Sequence, residues 1–186
     1  MADSPVERAR RRVEAQRMAA LAVAVAGSAA AGTLILSGSL RLAGIPALIA
    51  ALALVSGAPS SRDLRRSRSQ LLARLVDRAF DFSVLVPLAW ATRDADPPIA
   101  ILSLVAAGLA YLAAYERARG ESLGFAVRDE AGYRAARTGV LTAGLLTGWL
   151  EAAIWVFVIL TGAAAAVRAA NVARQARRTS TPAPPG

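Results

Sequence analysis

The 186-residue chain contains no cysteine, no histidine and no lysine. Without cysteine and histidine it can form no disulfide, no Ser-His-Asp triad, no cysteine nucleophile and none of the usual zinc-ligand sets. Without lysine it has neither a Schiff-base amine nor the lysine of a phosphate-binding P-loop. Any catalysis would therefore depend on carboxylates, hydroxyls, arginine or a metal ion bound by oxygen ligands.

Aromatic residues are also scarce, at 5% of the chain, although hydrophobic residues make up 55%. The charged residues are gathered into blocks, and long uncharged tracts separate these blocks. A bilayer demands such segregation, because a charged side chain at mid-depth costs roughly 2.5–3.5 kcal/mol on insertion scales. The composition therefore predicts an all-α integral membrane protein. An Ala-rich soluble helical bundle is the alternative.

Six predominantly apolar segments are candidates for membrane spans. They are Met18–Leu36, Leu42–Gly57, Ala79–Thr92, Pro98–Tyr115, Thr138–Leu150 and Ala152–Val167. Several are shorter than the ~20 residues of a typical span. We therefore expect a bundle of six short transmembrane helices, forming one domain over residues 18–174.

Two of the short spans can be lengthened. An amphipathic helix that begins near Ser67 could lead into the third span, with one apolar face formed by Leu71, Leu72, Leu75, Ala79 and Phe80. The fifth span could gain a turn from Arg137 at one end and from Glu151 at the other.

The two ends of the chain differ from the spans. Residues 1–17 are predicted to form a short basic amphipathic helix at the cytoplasmic surface. Ser4-Pro5-Val6-Glu7 has the spacing of a capping box, with proline at the first helical position. Residues 175–186, which are rich in proline, are predicted to be a disordered cytoplasmic tail.

The arginines divide unequally between the two sides of such a bundle. All of them except Arg41 and Arg93 fall in the terminal segments and in the loops 58–78 and 116–137, which share one side. The positive-inside rule makes this side cytoplasmic, so we expect a protein of the cell (cytoplasmic) membrane with both termini in the cytoplasm. A basic face beside apolar spans attracts anionic membrane lipids, and no module typical of nucleic-acid binding is present.

One pair of carboxylates could carry chemistry. Asp77 and Asp81 lie four residues apart, on one face of the helix that opens the third span. Such a pair can hold a divalent cation, and one member can serve as a general base. Alternatively, the two carboxylates only form ion pairs within the helix. Asp77 would pair with Arg74 and Asp81 with Arg78, each three residues away.

Two segments of the chain resemble segments of the CDP-alcohol phosphatidyltransferases. They are Asp77-x-x-x-Asp81 and the run Ala114-Tyr-Glu-Arg-Ala-Arg-Gly-Glu-Ser-Leu-Gly124. The resemblance implies a six-span fold and transfer of a phosphatidyl group from a CDP-linked lipid to a polar alcohol, with release of CMP. It further implies Mg²⁺ or Mn²⁺ as cofactor, Asp77 as a metal ligand, Asp81 as the catalytic base and a homodimer. For substrate binding it offers Arg117, Arg119 and Arg134.

The first half of that family's signature, D-x-x-D-G-x-x-A-R, is missing. With Asp77 and Asp81 on its last two aspartates, Ser56 and Pro59 stand at the first two. Ser60 replaces the glycine, and Asp63-Leu64 replaces Ala-Arg. A degenerate site is therefore expected. The alternative function is a non-catalytic scaffold or lipid-binding partner subunit, with a cytoplasmic nucleotidyltransferase as a possible partner by the same resemblance.

Gly144 and Gly148 have the GxxxG spacing of helix–helix contacts. This spacing is compatible with packing inside the bundle and with the homodimer that the resemblance implies.

Overall fold

The computed structural model of the protein describes residues 4–57, 68–125 and 131–179. Six α-helices make up nearly all of these residues, which contain no strand, so the predicted all-α fold is confirmed. The helices are α1 (Pro5–Leu36), α2 (Leu40–Ser56), α3 (Arg68–Thr92), α4 (Pro97–Ser122), α5 (Ala131–Thr147) and α6 (Leu150–Thr179).

Three of these helices are long and apolar enough to cross a membrane. The qualifying stretches are Val6–Leu36, Pro97–Ser122 and Leu150–Gln175, and Leu40–Ser56 is apolar but shorter. Length and composition of this kind indicate a membrane protein.

The basic N-terminal segment and the first apolar run form a single helix. The predicted capping box is confirmed, because Ser4 Oγ accepts from the Glu7 amide at 3.2 Å and Glu7 Oε2 accepts from the Ser4 amide at 3.0 Å. Residue 17 lies inside α1, so no helix break separates the basic segment from the apolar run. At the other end, α6 continues past residue 175 to Thr179.

The fifth predicted span is displaced along the chain. Gly148, with φ of 83°, ends α5 before the predicted boundary, and Leu150 already begins α6. A positive φ of this kind is accessible to glycine at little cost, which makes the turn between α5 and α6 possible. α5 instead extends in the other direction, to Ala131.

The six helices close into a ring. α1 packs against α2 and α3, α2 against α5, α5 against α6, α6 against α4, and α4 against α3. Alanine is the most frequent buried residue, and buried alanines recur along α1, α2 and α4. Gly144 packs against Ala153 of α6, so this half of the GxxxG pair serves a contact inside the bundle. Small side chains allow such close approach of helices.

Most of the predicted apolar face of α3 does not pack inside the ring. Leu71 and Leu75 are 62% and 56% exposed, and Ala79 is exposed as well, whereas Phe80 is buried. The face that packs inward carries Ala73, Val76, Asp77, Phe80, Asp81 and Val84. Both carboxylates therefore point into the ring.

Candidate functional site

The two carboxylates of α3 meet a cation from the opposite side of the ring. Asp77 and Asp81 are 4% and 1% exposed, and Arg137 of α5 is 1% exposed. One atom of that arginine, Nη2, lies 3.0 Å from Asp77 Oδ2 and 2.9 Å from Asp81 Oδ2. The contact to Asp77 is also a hydrogen bond. The contact to Asp81 is an ion pair without hydrogen-bond alignment, since Asp81 Oδ2 accepts no hydrogen bond from the described residues.

Arg78 completes a cluster of four charges. Its Nη2 donates to Asp77 Oδ2 at 2.7 Å, and its Nη1 lies 3.1 Å from Asp81 Oδ2. Nη1 also donates to the carbonyl of Ala110 on α4 at 2.8 Å. We call Asp77, Arg78, Asp81 and Arg137 the charge cluster. Two positive and two negative groups balance within it, and it connects α3, α4 and α5.

The two predicted short-range ion pairs have different outcomes. Arg78–Asp81 is present. The predicted Arg74–Asp77 pair is wrong, because Arg74 turns to α4 and holds Glu121 through two hydrogen bonds of 2.8 and 3.2 Å. Arg117 also donates to Glu121, at 3.0 Å. The Ala114–Gly124 run therefore lies beside the first turns of α3.

As arranged, the charge cluster does not fit a bound divalent cation. The described residues contain no group of three or more Asp, Glu, His or Cys side chains that could hold a metal ion. The two Oδ2 atoms that could bridge a cation both face Arg137. Mg²⁺ takes octahedral oxygen coordination at about 2.0–2.1 Å, and a guanidinium leaves no room for it at the same point.

A cavity of about 1010 Å³ opens beside the cluster, between α3, α4, α5 and α6. Seven arginines line it: Arg74, Arg78, Arg117, Arg134, Arg137, Arg168 and Arg174. Among the described lining residues Asp77 is the one carboxylate, and it already pairs with two guanidiniums. Apolar side chains complete the wall: Leu71, Leu75, Leu160, Val167 and Val172. We call this space the basic cavity.

Tyr133 organises one wall of the basic cavity. The guanidinium carbons of Arg137 and Arg168 lie 5.8 and 5.7 Å from the centre of its ring, within the range of cation–π attraction. The Tyr133 hydroxyl and Arg168 Nη2 are buried and have no hydrogen-bond partner among the described residues. This wall therefore carries polar atoms whose hydrogen-bonding capacity the described part of the chain leaves unused.

The structure brings together only some of the predicted site residues. Arg117 and Arg134 line the basic cavity near Asp77, but Arg119 is exposed and does not line it. Ser56 ends α2, where its hydroxyl donates to the Ala53 carbonyl at 3.0 Å. Pro59, Ser60, Asp63 and Ser67 lie outside the described residues.

Sequence reasoning missed the remaining cavity residues. Tyr133 and Arg137 lie four residues apart on α5, and Arg168, Asn171 and Gln175 follow at intervals of three and four residues on α6. Spacing of that kind places side chains on one helix face, and it could have marked a polar stripe on each helix.

No model of a known protein family matches the chain, and no curated protein matches it.

Proposed function

We propose that the protein is a multi-pass membrane protein that binds the phosphate group of an anionic lipid in the basic cavity, without catalysing phosphatidyl transfer. One observation carries the proposal: seven arginines line a single cavity, and the one carboxylate among its described lining residues is already paired. The excess positive charge of that cavity calls for an anionic ligand.

The chemistry of the wall favours a phosphate carried by a lipid. The guanidinium group presents its N–H donors in a planar fork that matches phosphate oxygens, and such charge-assisted hydrogen bonds are among the strong ones in proteins. Leu71, Leu75 and Val167 are exposed apolar side chains at the same cavity. They offer a surface to an acyl chain attached to that phosphate.

The proposal includes a topology. All six helices would cross the cell membrane, with both termini in the cytoplasm, as the arginine distribution predicts. The basic cavity is formed by the beginnings of α3 and α5 and by the later parts of α4 and α6. In this topology it would face the cytoplasmic leaflet, where anionic lipids are concentrated.

Lipid binding can be measured with purified protein in detergent. Phosphatidic acid, added in mixed micelles, is expected to bind, and phosphatidylcholine is expected to bind far more weakly. Arg168→Gln is the informative variant, because Arg168 Nη2 has no partner among the described residues and its loss should disturb the fold little. A hydrogen bond to a charged group contributes about 1.5–3 kcal/mol, so affinity should fall by roughly tenfold to a hundredfold.

Arg93→Gln is the matched control, because Arg93 is exposed and lies over Trp90 in the α3–α4 turn, away from the cavity. It should bind phosphatidic acid like the unmodified protein. Equal affinity for the two lipids, or an Arg168→Gln variant that binds normally, would contradict lipid binding in the basic cavity.

A second candidate function is residual CDP-alcohol phosphatidyltransferase activity, in which Asp81 would act as the base and Asp77 as a ligand of Mg²⁺ or Mn²⁺. The position of the Ala114–Gly124 run beside α3, through Arg74 and Glu121, favours it. It requires Arg137 to leave the carboxylates. The test is metal-dependent release of CMP from CDP-diacylglycerol with a panel of alcohols, abolished by Asp81→Asn.

The oligomeric state and any protein partner are proposed from the family resemblance alone. A homodimer predicts twice the monomer mass for the protein component of detergent particles. A cytoplasmic nucleotidyltransferase partner predicts co-purification of an enzyme of that class from the native membrane. A monodisperse monomer would remove the first of these proposals.

A further inference from the structure

Two arginines in the wall of the basic cavity, Arg168 and Arg174, pair with no carboxylate among the described residues. Arg168 donates from Nε to the carbonyl of Ala164 at 3.0 Å. Arg174 donates from Nε to the carbonyl of Ala170 at 3.4 Å and from Nη2 to Asn171 at 2.8 Å. These acceptors are neutral, so two positive charges on α6 have no counter-charge in the described part of the chain.

Two hydrogen-bond donors of the same wall are unused. The Tyr133 hydroxyl and Arg168 Nη2 are buried atoms without a hydrogen-bond partner among the described residues. They belong to α5 and α6, and the guanidinium carbon of Arg168 lies 5.7 Å from the centre of the Tyr133 ring. Both side chains are half-buried, so a rotation of either one can bring its donor to an anion in the cavity. A buried donor without a partner is costly, and an acceptor on a ligand removes that cost.

We infer that the preferred ligand of the basic cavity is a lipid that ends in a phosphate group, a phosphomonoester, and that Tyr133 selects it over phosphodiester lipids. The inference rests on the proposed lipid binding and narrows it to one chemical class. The proposed function requires only an anionic lipid, whereas the inference requires a headgroup with no substituent beyond the phosphate.

Charge is the first reason. A phosphodiester carries one negative charge. A phosphomonoester carries about 1.5–2 negative charges at pH 7, because its second pKa is about 6. The guanidiniums of Arg168 and Arg174 therefore match the charge of a monoester, and a diester would balance only one of them.

The placement of the donors is the second reason. Arg168 and Arg174 line the cavity from α6, Tyr133 from α5 and Arg74 from α3. A terminal phosphate offers three acceptor oxygens, so it can accept from donors on several helices at once. In a diester a second substituent occupies one of these oxygens. We assign the Tyr133 hydroxyl to that third oxygen, which makes Tyr133 a specificity-determining residue.

The experiment measures how tightly the purified full-length protein in detergent binds three lipids with identical acyl chains. Phosphatidic acid is the monoester, and phosphatidylethanol and phosphatidylglycerol are diesters with one negative charge. Glycerol phosphate, a monoester without acyl chains, is added as a soluble competitor.

Two variants lose the same chemical group in different places. Tyr133→Phe removes the hydroxyl and keeps the ring that faces Arg168. Tyr111→Phe is the matched control, because Tyr111 is 62% exposed on α4 and does not line the cavity. The unfolding midpoint of each variant is measured alongside its lipid affinity.

We expect the unmodified chain to bind phosphatidic acid about tenfold more tightly than either diester, because a hydrogen bond to a charged group contributes about this factor or more. Tyr133→Phe should lose most of this preference and bind the diesters as before. Its unfolding midpoint should not fall, since the hydroxyl has no partner among the described residues. Tyr111→Phe should bind all three lipids like the unmodified chain. Glycerol phosphate should compete weakly, because it has no apolar group to bury.

Equal affinity of the unmodified chain for the monoester and the two diesters would overturn the inference and leave the proposed function standing. A folded Tyr133→Phe variant that keeps the full preference for phosphatidic acid would overturn the role of Tyr133. A chain that binds none of the three lipids would refute the proposed function and the inference with it. Glycerol phosphate that competes as well as phosphatidic acid would support recognition of a monoester and contradict a lipid as its source.

Discussion

At the scale of single residues, the charge cluster and the Glu121 contacts are ion pairs of different kinds. The side chains of Asp81 and Arg137 are both 1% exposed, whereas those of Arg74 and Glu121 are 42% and 34% exposed. Removing two charges from water is costly, and their attraction offsets that cost only while both partners are present. The stability of the protein should therefore depend strongly on Asp81 and Arg137 and little on Glu121.

The first prediction compares matched amide substitutions in the two settings. Asp81→Asn should destabilise the protein by about 3–5 kcal/mol, because it leaves two guanidiniums facing one carboxylate in the ring. Glu121→Gln should cost less than about 1 kcal/mol, since water screens the exposed pair. Denaturant unfolding in mixed micelles provides the measurement. Similar losses for both variants would show that the charge cluster is not buried as described.

Spacing along the chain can identify only part of the charge cluster. The Asp77–Asp81 pair and its bond to Arg78 follow from helical periodicity, because all three residues lie on neighbouring turns. Arg137 does not follow from it, because 60 residues separate it from Asp77. Helical periodicity relates residues within one helix and carries no information about which helix lies opposite.

At the scale of secondary-structure elements, the contact between α1 and α3 depends on a proline and a glycine. Pro87 has no N–H, so the carbonyl four residues earlier, that of Ser83, receives no hydrogen bond from position 87. The backbone of Gly32 on α1 lies against that carbonyl: a Cβ atom at position 32 would be 2.6 Å from Ser83 O. The two helices approach closely where α3 carries its proline.

The second prediction concerns this contact. Gly32→Ala should destabilise the protein by about 1–3 kcal/mol, because the new methyl group meets backbone that can yield only if the helices separate. Gly108→Ala is the control, since a Cβ atom there would meet nothing within 4 Å among the described residues. It should be neutral or stabilising by about 0.5–1 kcal/mol, because alanine favours a helix interior over glycine.

Unfolding midpoints of the two glycine variants, measured in one detergent, provide the comparison. We expect Gly32→Ala to have a lower unfolding midpoint than the unmodified protein. Gly108→Ala should have the same midpoint as the unmodified protein or a higher one. An unchanged midpoint for Gly32→Ala would mean that α1 and α3 are farther apart than described.

At the scale of the whole molecule, three helical hairpins share one orientation. The short turns that follow α1, α3 and α5 lie at residues 37–39, 93–96 and 148–149. Arg41, near the first turn, approaches Gly148 in the third: a Cβ atom on Gly148 would lie 3.4 Å from its guanidinium. Arg93 lies in the second turn. The two arginines that the positive-inside rule assigns to the outer side are thus both at turns of this kind.

The third prediction tests the topology with single cysteines, which serve as unique labels because the chain has none of its own. Ser37→Cys lies in the exposed first turn and should react with a membrane-impermeant maleimide in intact cells. Ser122→Cys lies at the exposed end of α4 and should react only after the membrane is permeabilised. Labelling in the reverse order would contradict both the proposed orientation and a cavity that faces the cytoplasmic leaflet.

Properties that act on each segment by itself could be predicted from the sequence alone. The helical class, the capping box at Ser4 and the apolar tracts follow from local composition and spacing, because helix formation, capping and the cost of burying charge are decided within a few turns. The boundary between α5 and α6 was misplaced, since an uncharged tract does not reveal that Gly148 ends a helix.

The inward face of α3, the cation opposite its carboxylates and the basic cavity were decided by tertiary structure. Leu71 and Leu75 lie four residues apart on α3, and so do Asp77 and Asp81. Helical spacing alone cannot decide which of these two pairs faces the inside of the ring. The closed ring decides it, because Arg137 reaches from α5 to the point where both carboxylates converge. Which residue supplies that cation depends on which helix lies opposite α3 in the ring. The packing of all six helices together decides this.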